Sequence, residues 1–556
     1  MKERIGLVGL VVGTFLLRVL PSWDKVFIDG NVWYRGVDPW YHMRLVDNIM
    51  ENFPIPLKWD MFALYPNGMA VGYFPLISLI IALPGQVFNY EVIGALLPPI
   101  LGALTLIPIY LICKTLWKSW IGLIACGLVM ILPTEFFHRS MLGFTDHHIL
   151  EVFFSVNTIL FLILMYKEGK LRWAILAGVS LGLYMSSWSG GLLLVAPIWI
   201  WFFIIFIYKL KNNQPIDVFV GNMCITFSTA LILYLPNCLF IKGIEFQALT
   251  MGIVAASFWI LHELTKVLGW KKLIGLVGLA VGVICFFIPG LTSVTRSVLF
   301  NFDITIQEAL LSGPKVLLAQ YGISFFLSIG GLAFAIKRKE NLLLIVWCTF
   351  MLILAINQRR WNYYFAINNA IMAAYFIYVM GSWIKENARI PATVVICSFL
   401  LFTILPSTIA ISNLPNTITK DWYAACVWLE KNTPEMDGYY ELNSDKLDYG
   451  VLSWWDYGNW ITRISKRAPV SNPMVHQDIQ WEVLTAKSEE EANTYLEGIN
   501  YIVVDRDMVS SKFPAILNLS PRKVDYIPFV FTLWNEETDT WIKIHQEGEV
   551  KIYGRK

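Results

Sequence analysis

Cysteine is scarce in this sequence, with eight residues among 556. Most of them are scattered through apolar segments, and only Cys426 lies in the C-terminal quarter, so their spacing predicts neither a disulfide framework nor a cysteine metal site. The HExxH zinc motif, the P-loop, the GxGxxG dinucleotide signature and the protein-kinase motifs are also absent. These absences argue against zinc proteases, dinucleotide enzymes and enzymes that use a soluble nucleotide as their energy source.

Charged residues are also few, at 15%, whereas 56% of the residues are apolar and the mean hydropathy is +0.56. These values lie outside the range of soluble globular proteins. Apolar runs long enough to cross about 30 Å of hydrocarbon recur up to about residue 411, and none follows. The sequence therefore predicts a polytopic α-helical transmembrane domain over 1–412, with large external loops at 21–94 and 290–321, followed by a mixed α/β soluble domain over 413–556.

About thirteen transmembrane helices are predicted, at 5–20, 95–113, 119–133, 148–166, 173–187, 190–208, 217–241, 246–264, 273–289, 322–336, 341–356, 363–384 and 391–411. If the N-terminus is cytoplasmic, every loop assigned to the cytoplasm carries Lys or Arg, as the positive-inside rule requires. The apolar stretch Phe74–Val87 would reverse this pattern if it crossed, so we expect it to lie at the outer membrane surface. The C-terminal domain is then extracytoplasmic, and the first helix, which lacks a cleavage site, is retained.

The C-terminal region alternates short apolar and polar segments, as mixed α/β domains do. Val451–Trp454 and Tyr501–Val504 are predicted strands, and Ser488–Leu496 is a predicted helix with a serine cap and an acidic first turn. The segment Trp454–Gly458, WWDYG, is a poor core segment because two adjacent indoles stand beside a carboxylate. Such a group suits a surface that binds a hydroxyl with a neighbouring methyl group, as on threonine.

The predicted topology places several other polar motifs on the outer side. Asp38, Asp146, His148 and Glu308 form an oxygen-rich set with one imidazole, which suits Mg²⁺ or Mn²⁺. Arg359–Arg360 oppose the positive-inside trend, so they favour a bound anion such as a lipid phosphate. Simpler interpretations remain open, since Asp38 could cap a helix, Asp146 and His148 could form an interfacial pair, and Glu308 could be a solvated charge.

The WWDYG segment resembles the signature of the catalytic subunit of oligosaccharyltransferase, the family called Stt3 in eukaryotes, AglB in archaea and PglB in bacteria. The other motifs of that family occur in the same order, and the resemblance covers essentially the whole chain. The matching segments are Gly36-Val37-Asp38, Asp146-His147-His148, Thr305-Ile306-Gln307-Glu308 and Arg360-Trp361. The DHH form is archaeal in type and the TIQE form is bacterial, which leaves the lineage open.

The resemblance implies a GT-C fold and a prokaryotic enzyme that acts as a single subunit in the plasma membrane. It implies inverting, metal-dependent transfer of a whole glycan from a polyprenyl phosphate or diphosphate to Asn in N-x-S/T sequons of an acceptor polypeptide. Mn²⁺ or Mg²⁺ is the expected cofactor, and no nucleic acid takes part. The implied site residues are catalytic (Asp38, Glu308), metal-binding (Asp38, Asp146, His148, Glu308), acceptor-binding (Trp454, Trp455, Asp456, Lys512, Ile516) and lipid-phosphate-binding (Arg360, Arg359).

The nearest alternative is another polyprenyl-dependent glycosyltransferase of the same membrane architecture, such as a protein O-mannosyltransferase. Such an enzyme shares an acidic first external loop but would not require WWDYG. A transporter or channel is disfavoured because the polar residues cluster on one face of the membrane domain and do not line the middle of the spans.

Overall fold

The computed structural model describes residues 2–241, 243–277, 311–383, 386–520, 522 and 524–556, without the side chains of 386–393. The chain forms two compact units. The first, called the membrane unit below, comprises Met1–Trp23, Pro98–Leu142 and His147–Leu414. The second, called the mixed unit, comprises Asp24–Leu97, Gly143–Asp146 and Pro415–Lys556. The predicted catalytic and metal-binding Glu308 lies outside the described residues.

The membrane unit is built from helices joined by short connections. The described helices that lie in it are Lys2–Val19, Leu106–Leu116, Ser119–Ile131, Glu135–Arg139, His148–Glu168, Leu171–Met185, Leu192–Lys211, Asp217–Tyr234, Glu245–Thr265, Pro314–Tyr321, Ser324–Lys337, Leu342–Asn357, Asn362–Ser382 and Glu386–Ser412. Helix Tyr90–Leu104 begins in the mixed unit and ends in the membrane unit.

Among the described residues, eight helices are long and apolar enough to cross a membrane, or nine if one bent pair counts as a single span. That pair, Pro314–Tyr321 and Ser324–Lys337, bends by 94°. Three of the thirteen predicted spans coincide with shorter apolar helices, namely Ser119–Ile131, Leu171–Met185 and Leu342–Asn357. The predicted span 273–289 lies mostly outside the described residues, so the count of thirteen stays a prediction. The polytopic helical architecture is confirmed.

Close helix packing in the membrane unit depends on small residues. Helix Ser324–Lys337 packs against Asn362–Ser382. A Cβ atom added at Gly331 would lie 2.1 Å from the carbonyl oxygen of Met372, so only glycine allows the two backbones to approach this closely. Without water between the helices there is little hydrophobic driving force, and close backbone contact of this kind supplies the attraction.

The mixed unit combines helices with short strands. Its described helices of five or more residues are Asp38–Asn52, Leu76–Gly85, Lys420–Asn432, Gly458–Ile464, Asp478–Leu484, Glu489–Asn493, Phe513–Leu519 and Phe529–Trp534. Two antiparallel hairpins pair Phe27–Ile28 with Asn31–Val32 and Trp59–Asp60 with Met69–Ala70. Helix Leu76–Gly85, within the stretch predicted to lie at the membrane surface, has only 10 residues. Its length of about 15 Å is half the thickness of the hydrocarbon core of a membrane.

A four-stranded sheet forms the core of the C-terminal region. Its strands lie in the order Gly450–Leu452, Ile499–Asp505, Val550–Arg555 and Trp541–Glu547. The first pair is parallel and the other two pairs are antiparallel. Ser488 caps helix Glu489–Asn493 by accepting a hydrogen bond of 3.3 Å from the N–H of Glu491. The predicted strands, the helix cap and the mixed α/β class are therefore confirmed.

Candidate active site

The WWDYG segment follows the edge strand of this sheet. Strand Gly450–Leu452 leads into a 3₁₀ turn at Trp455–Tyr457, and helix Gly458–Ile464 begins directly after it. A Cβ atom at Gly458 would lie 2.4 Å from the carbonyl oxygen of Ser471. The glycine at the end of the motif is thus required because another chain segment passes against its backbone.

The two indoles of the motif have different surroundings. Trp454 is buried, and its Nε1 donates a hydrogen bond of 3.2 Å to Oδ2 of Asp456. Trp455 is half-buried and stacks on the ring of His476, with centroids 4.5 Å apart. The buried Nε1–H of Trp455 has no acceptor among the described residues. A buried donor of this kind needs an acceptor from water or from a ligand.

Asp456 forms an ion pair with Lys512, which occupies the N-cap position of helix Phe513–Leu519. The two side chains are 28% and 26% exposed, so the pair is accessible to a ligand. The sequence assigned both residues to acceptor binding. The fold brings them together although 56 positions separate them in the sequence. Ile516, assigned to the same role, lies one turn further along that helix and is fully buried.

A buried carboxylate holds the motif to the sheet. Asp505, at the end of strand Ile499–Asp505, accepts hydrogen bonds from Tyr457 Oη at 2.6 Å and from Trp422 Nε1 at 2.8 Å. Its other oxygen accepts the backbone N–H of Met508 at 2.9 Å. Burial raises the pKa of Asp505, although these donors oppose the shift. Burial and the Asp505 carboxylate raise the pKa of Tyr457, so its hydroxyl remains a donor.

These residues border a cavity of about 330 Å³ in the mixed unit. This volume is at the lower end of the range for ligand sites. Its lining is largely polar and comprises Val37, Thr417, Thr419, Asp421, Trp422, Asp456, Tyr457, Trp460, Asp505, Arg506, Asp507, Lys512, Glu549 and Val550. The cavity can accept a polar segment such as a peptide backbone with a hydroxyl side chain.

Asp38 is the first residue of helix Asp38–Asn52, and Val37 occupies the N-cap position. His42 follows one turn later and is buried, with Nε2 3.3 Å from Oδ1 of Asp146. The sequence did not single out His42 as a site residue, although its i+4 spacing from Asp38 places both on one helix face.

In the membrane unit, His148 begins helix His148–Glu168, and its Nδ1 lies 3.0 Å from Oε1 of Glu151. Tyr363 and Tyr364 donate hydrogen bonds to Oε2 of Glu151 at 2.8 and 2.5 Å. The ligand atoms of His147, His148 and Glu151 lie within 4.8 Å of one another. Imidazole and carboxylate donors of this kind suit a divalent metal ion, so the residues present can hold one.

The two adjacent arginines are used differently. Arg359 pairs with Glu135, with Nε and Nη2 each 3.1 Å from Oε1, and Gln320 donates to the same oxygen at 3.3 Å. The buried Nε of Arg360 has no hydrogen-bond acceptor among the described residues. Of the two predicted phosphate ligands, Arg360 is therefore the one with a buried donor to offer an anion. Glu135 was missed in the sequence because nothing local links it to Arg359.

The chain thus combines a helical unit with membrane-type spans and a mixed unit that carries a polar cavity. Two family models match the chain, one described as oligosaccharyl transferase STT3, N-terminal, over residues 9–311 and the other as the AglB core domain over residues 419–509. The chain belongs to this STT3 family of oligosaccharyltransferases, which are glycosyltransferases.

Relatives and solved structures support this assignment. Dolichyl-phosphooligosaccharide-protein glycotransferase 3 from Archaeoglobus fulgidus is 27% identical, and the match covers 90% of this chain and 69% of the relative. The apo crystal structure of an A. fulgidus oligosaccharyltransferase matches with a TM-score of 0.84 at 25% identity, covering 93% of this chain and 71% of that one. Related A. fulgidus structures contain an inhibitory peptide with dolichol-phosphate, a tethered peptide with an NVT sequon, or Zn with sulfate. ArnT from Cupriavidus metallidurans shares the fold, with a TM-score of 0.52 at 9% identity.

Proposed function

We propose that this enzyme transfers a preassembled glycan from a polyprenyl phosphate or diphosphate to the side-chain nitrogen of Asn in N-x-S/T sequons. The observation that carries this proposal is the WWDYG turn, which presents Asp456 and Lys512 at a polar cavity in a chain of this family. The related structure with a tethered NVT peptide supports the acceptor, and the one with dolichol-phosphate supports the carrier.

Acceptor recognition is proposed for Trp454, Trp455, Asp456, Lys512 and Ile516. Asp456 would accept the hydroxyl hydrogen bond of the Ser or Thr, while the indoles pack around its side chain. Losing such a bond to a carboxylate costs about 1.5–3 kcal/mol, which is enough to distinguish Thr from Val. The buried Nε1–H of Trp455 supports this role, since a bound peptide could supply the hydrogen-bond acceptor that none of the described residues provides.

The chemistry requires activation of an amide nitrogen, whose lone pair is conjugated with the carbonyl. On the family pattern, Asp38 and Glu308 would engage the two amide hydrogens of the acceptor Asn and polarise the amide. The bond from the anomeric carbon to the phosphate oxygen breaks as the carbon–nitrogen bond forms on the opposite face, so the anomeric centre inverts. The nitrogen would release one of its two hydrogens as a proton to the carboxylate that engages it, Asp38 or Glu308. Arg360 would bind the leaving phosphate through charge-assisted hydrogen bonds.

The proposed metal ligands are Asp38, Asp146 and His148, with Glu308 as a further candidate. The donors are carboxylates and one imidazole, which favours Mn²⁺ or Mg²⁺. When bound, the ion would neutralise charge that develops on the leaving phosphate. The Zn found in a related structure supports a divalent ion in this family without deciding which ion this chain uses.

The cellular setting is proposed from the charge pattern and the family. The enzyme would be a multi-pass plasma-membrane protein with its N-terminus in the cytoplasm, acting as a single subunit. The transmembrane domain 1–412 would carry the catalytic motifs, and the extracytoplasmic domain 413–556 would carry WWDYG.

Mass spectrometry of purified protein with Mn²⁺, a lipid extract from its source and three peptides tests this function. We expect a glycan on the Asn of a peptide containing Asn-Val-Thr, and none on peptides in which Gln replaces Asn or Val replaces Thr. A glycan attached to Thr in the Gln peptide would instead indicate the O-glycosylating alternative. Absence of transfer to every peptide, with the donor lipid verified in the extract, would contradict the proposal.

A further inference from the structure

Glu151 is a fully buried carboxylate within an apolar helix of the membrane unit, and the motifs of the family do not account for it. A carboxylate in such surroundings is costly unless it is fully hydrogen-bonded. Charged residues inside membrane segments therefore usually have a function, and their partners indicate which one.

The partners of Glu151 surround both of its oxygens. Oε2 accepts the hydroxyls of Tyr363 and Tyr364, which are 212 and 213 residues away in sequence. Oε1 lies 3.0 Å from Nδ1 of His148 and 3.4 Å from Nε2 of His147. The hydroxyl of Tyr184 lies 3.0 Å from that of Tyr364 and extends the network away from the histidines.

We infer that Glu151 is a positioning residue for His148. By accepting a hydrogen bond from Nδ1–H, the carboxylate fixes the tautomer and the ring orientation of His148, which leaves Nε2 as the nitrogen that faces a metal ion. Carboxylates play this part behind many metal-bound histidines and raise the basicity of the ligand nitrogen. The inference rests on the proposed metal-binding role of His148, and it adds Glu151 as the residue that positions this ligand.

Direct metal ligation by Glu151 is the competing explanation, since its ligand atom lies near those of both histidines. A carboxylate offers about four lone-pair positions. The two tyrosine hydroxyls and Nδ1 of His148 already occupy three of them. Ligation through Oε1 would compete with the bond to His148, whereas the positioning role uses all three contacts as they are.

Sequence spacing agrees with the positioning role. Glu151 follows His148 by three residues on one helix, so the two side chains lie on the same face. Tyr363 also contacts His148 directly, with ring centroids 4.8 Å apart. The imidazole is therefore held from two sides by groups that are themselves fixed in the packed helices.

The test is a titration of the purified full-length protein with Mn²⁺, in which electron paramagnetic resonance measures the free ion. We expect Glu151→Gln to weaken Mn²⁺ binding roughly 10- to 100-fold, the usual effect of removing such a partner. Tyr184→Phe is the matched control, because it removes a hydroxyl from the same network without touching an imidazole, and it should leave the affinity unchanged. Elution profile and thermal melting without metal identify any variant that fails to fold.

The same substitution is then made in a His148→Asp background, in which a carboxylate replaces the imidazole as the proposed ligand. A positioning role predicts that Glu151→Gln no longer weakens Mn²⁺ binding there, because no imidazole remains to be oriented. Weakening in both backgrounds would instead indicate direct ligation and overturn the inference.

Glycopeptide formation by the wild-type protein is measured on the same preparations. This measurement tests the proposed glycan transfer separately from the proposed role of Glu151. If the wild-type enzyme transfers glycan and binds Mn²⁺ but Glu151→Gln binds it equally well, the role of Glu151 is wrong and the function stands. A wild-type protein that binds no Mn²⁺ would overturn both the proposed metal site and the role of Glu151.

Discussion

Polar side chains are used differently in the two units of this enzyme. In the membrane unit, buried Glu151 contacts two tyrosines and a histidine, and the half-buried Glu135 contacts an arginine and a glutamine. In the mixed unit, Asp456 and Lys512 form a partly exposed pair at the edge of a cavity. The partners described for both glutamates are side chains, although each glutamate lies in the first turn of its helix. Asp505 in the mixed unit also accepts a backbone N–H, that of Met508.

This contrast predicts that substitutions in the two units will change the kinetic parameters of different substrates. Changes around WWDYG should act on the acceptor peptide, and changes at the arginines of the membrane unit should act on the lipid donor.

The largest effect is expected for Asp38→Ala, which should lower the turnover number roughly 10²- to 10⁴-fold, as loss of a group acting on the reacting atoms does. Glycopeptide formed at saturating peptide and donor measures this. The control is Asp24→Ala, an exposed aspartate earlier in the same unit, which should retain activity. Full transfer by Asp38→Ala would contradict its catalytic assignment.

Asp456→Asn should lower kcat/KM for an Asn-Val-Thr peptide roughly 10- to 150-fold, the value of a hydrogen bond to a charged group. Initial rates at varied peptide and fixed donor measure this, and the preference for Thr over Val should shrink in parallel. Asp445→Asn, at an exposed position of the same unit, is the control. A change confined to the KM of the lipid donor would break the proposed division between the two units.

The adjacent arginines allow a matched comparison within the membrane unit. Arg360→Ala should raise the KM for the lipid donor about tenfold, since it removes a charge-assisted contact to phosphate. Arg359→Ala should chiefly lower the melting temperature, because it removes the two 3.1 Å contacts to Glu135 and leaves only the longer arginine contact, from Arg139. If Arg359→Ala raised the donor KM as much as Arg360→Ala does, the distinction drawn from their contacts would be wrong.

The smallest effect concerns pH. Burial raises the pKa of Asp505 in the folded protein, so the unfolded chain releases this proton at lower pH than the folded one does. The folded state accordingly loses stability as pH rises from the ordinary aspartate value through the raised one. Asp505→Asn removes this titration, so its melting temperature relative to wild type should rise as pH rises through that interval. An unchanged difference between the two proteins across the interval would show that Asp505 does not titrate there.

Local patterns in the sequence predicted the helical membrane architecture, the strands near residues 451 and 501, and the cap at Ser488. They also identified WWDYG, and the family resemblance added Lys512, which meets Asp456 in the fold. Local patterns could not reveal that Tyr363 and Tyr364 enclose Glu151, because no periodicity relates residues more than 200 positions apart. They also grouped Arg359 with Arg360, and only the packing of Glu135 separates the two.

The sequence by itself determined what kind of protein this is, because hydropathy and short motifs depend on residue type and order alone. The tertiary structure decided which charged groups neutralise one another and which remain available to a ligand. That outcome depends on which distant side chains the packed helices and the sheet bring within hydrogen-bonding distance. Asp456, partly exposed beside Lys512, and Glu151, enclosed by two tyrosines, are both single carboxylates in the sequence, and only their neighbours in space distinguish their roles.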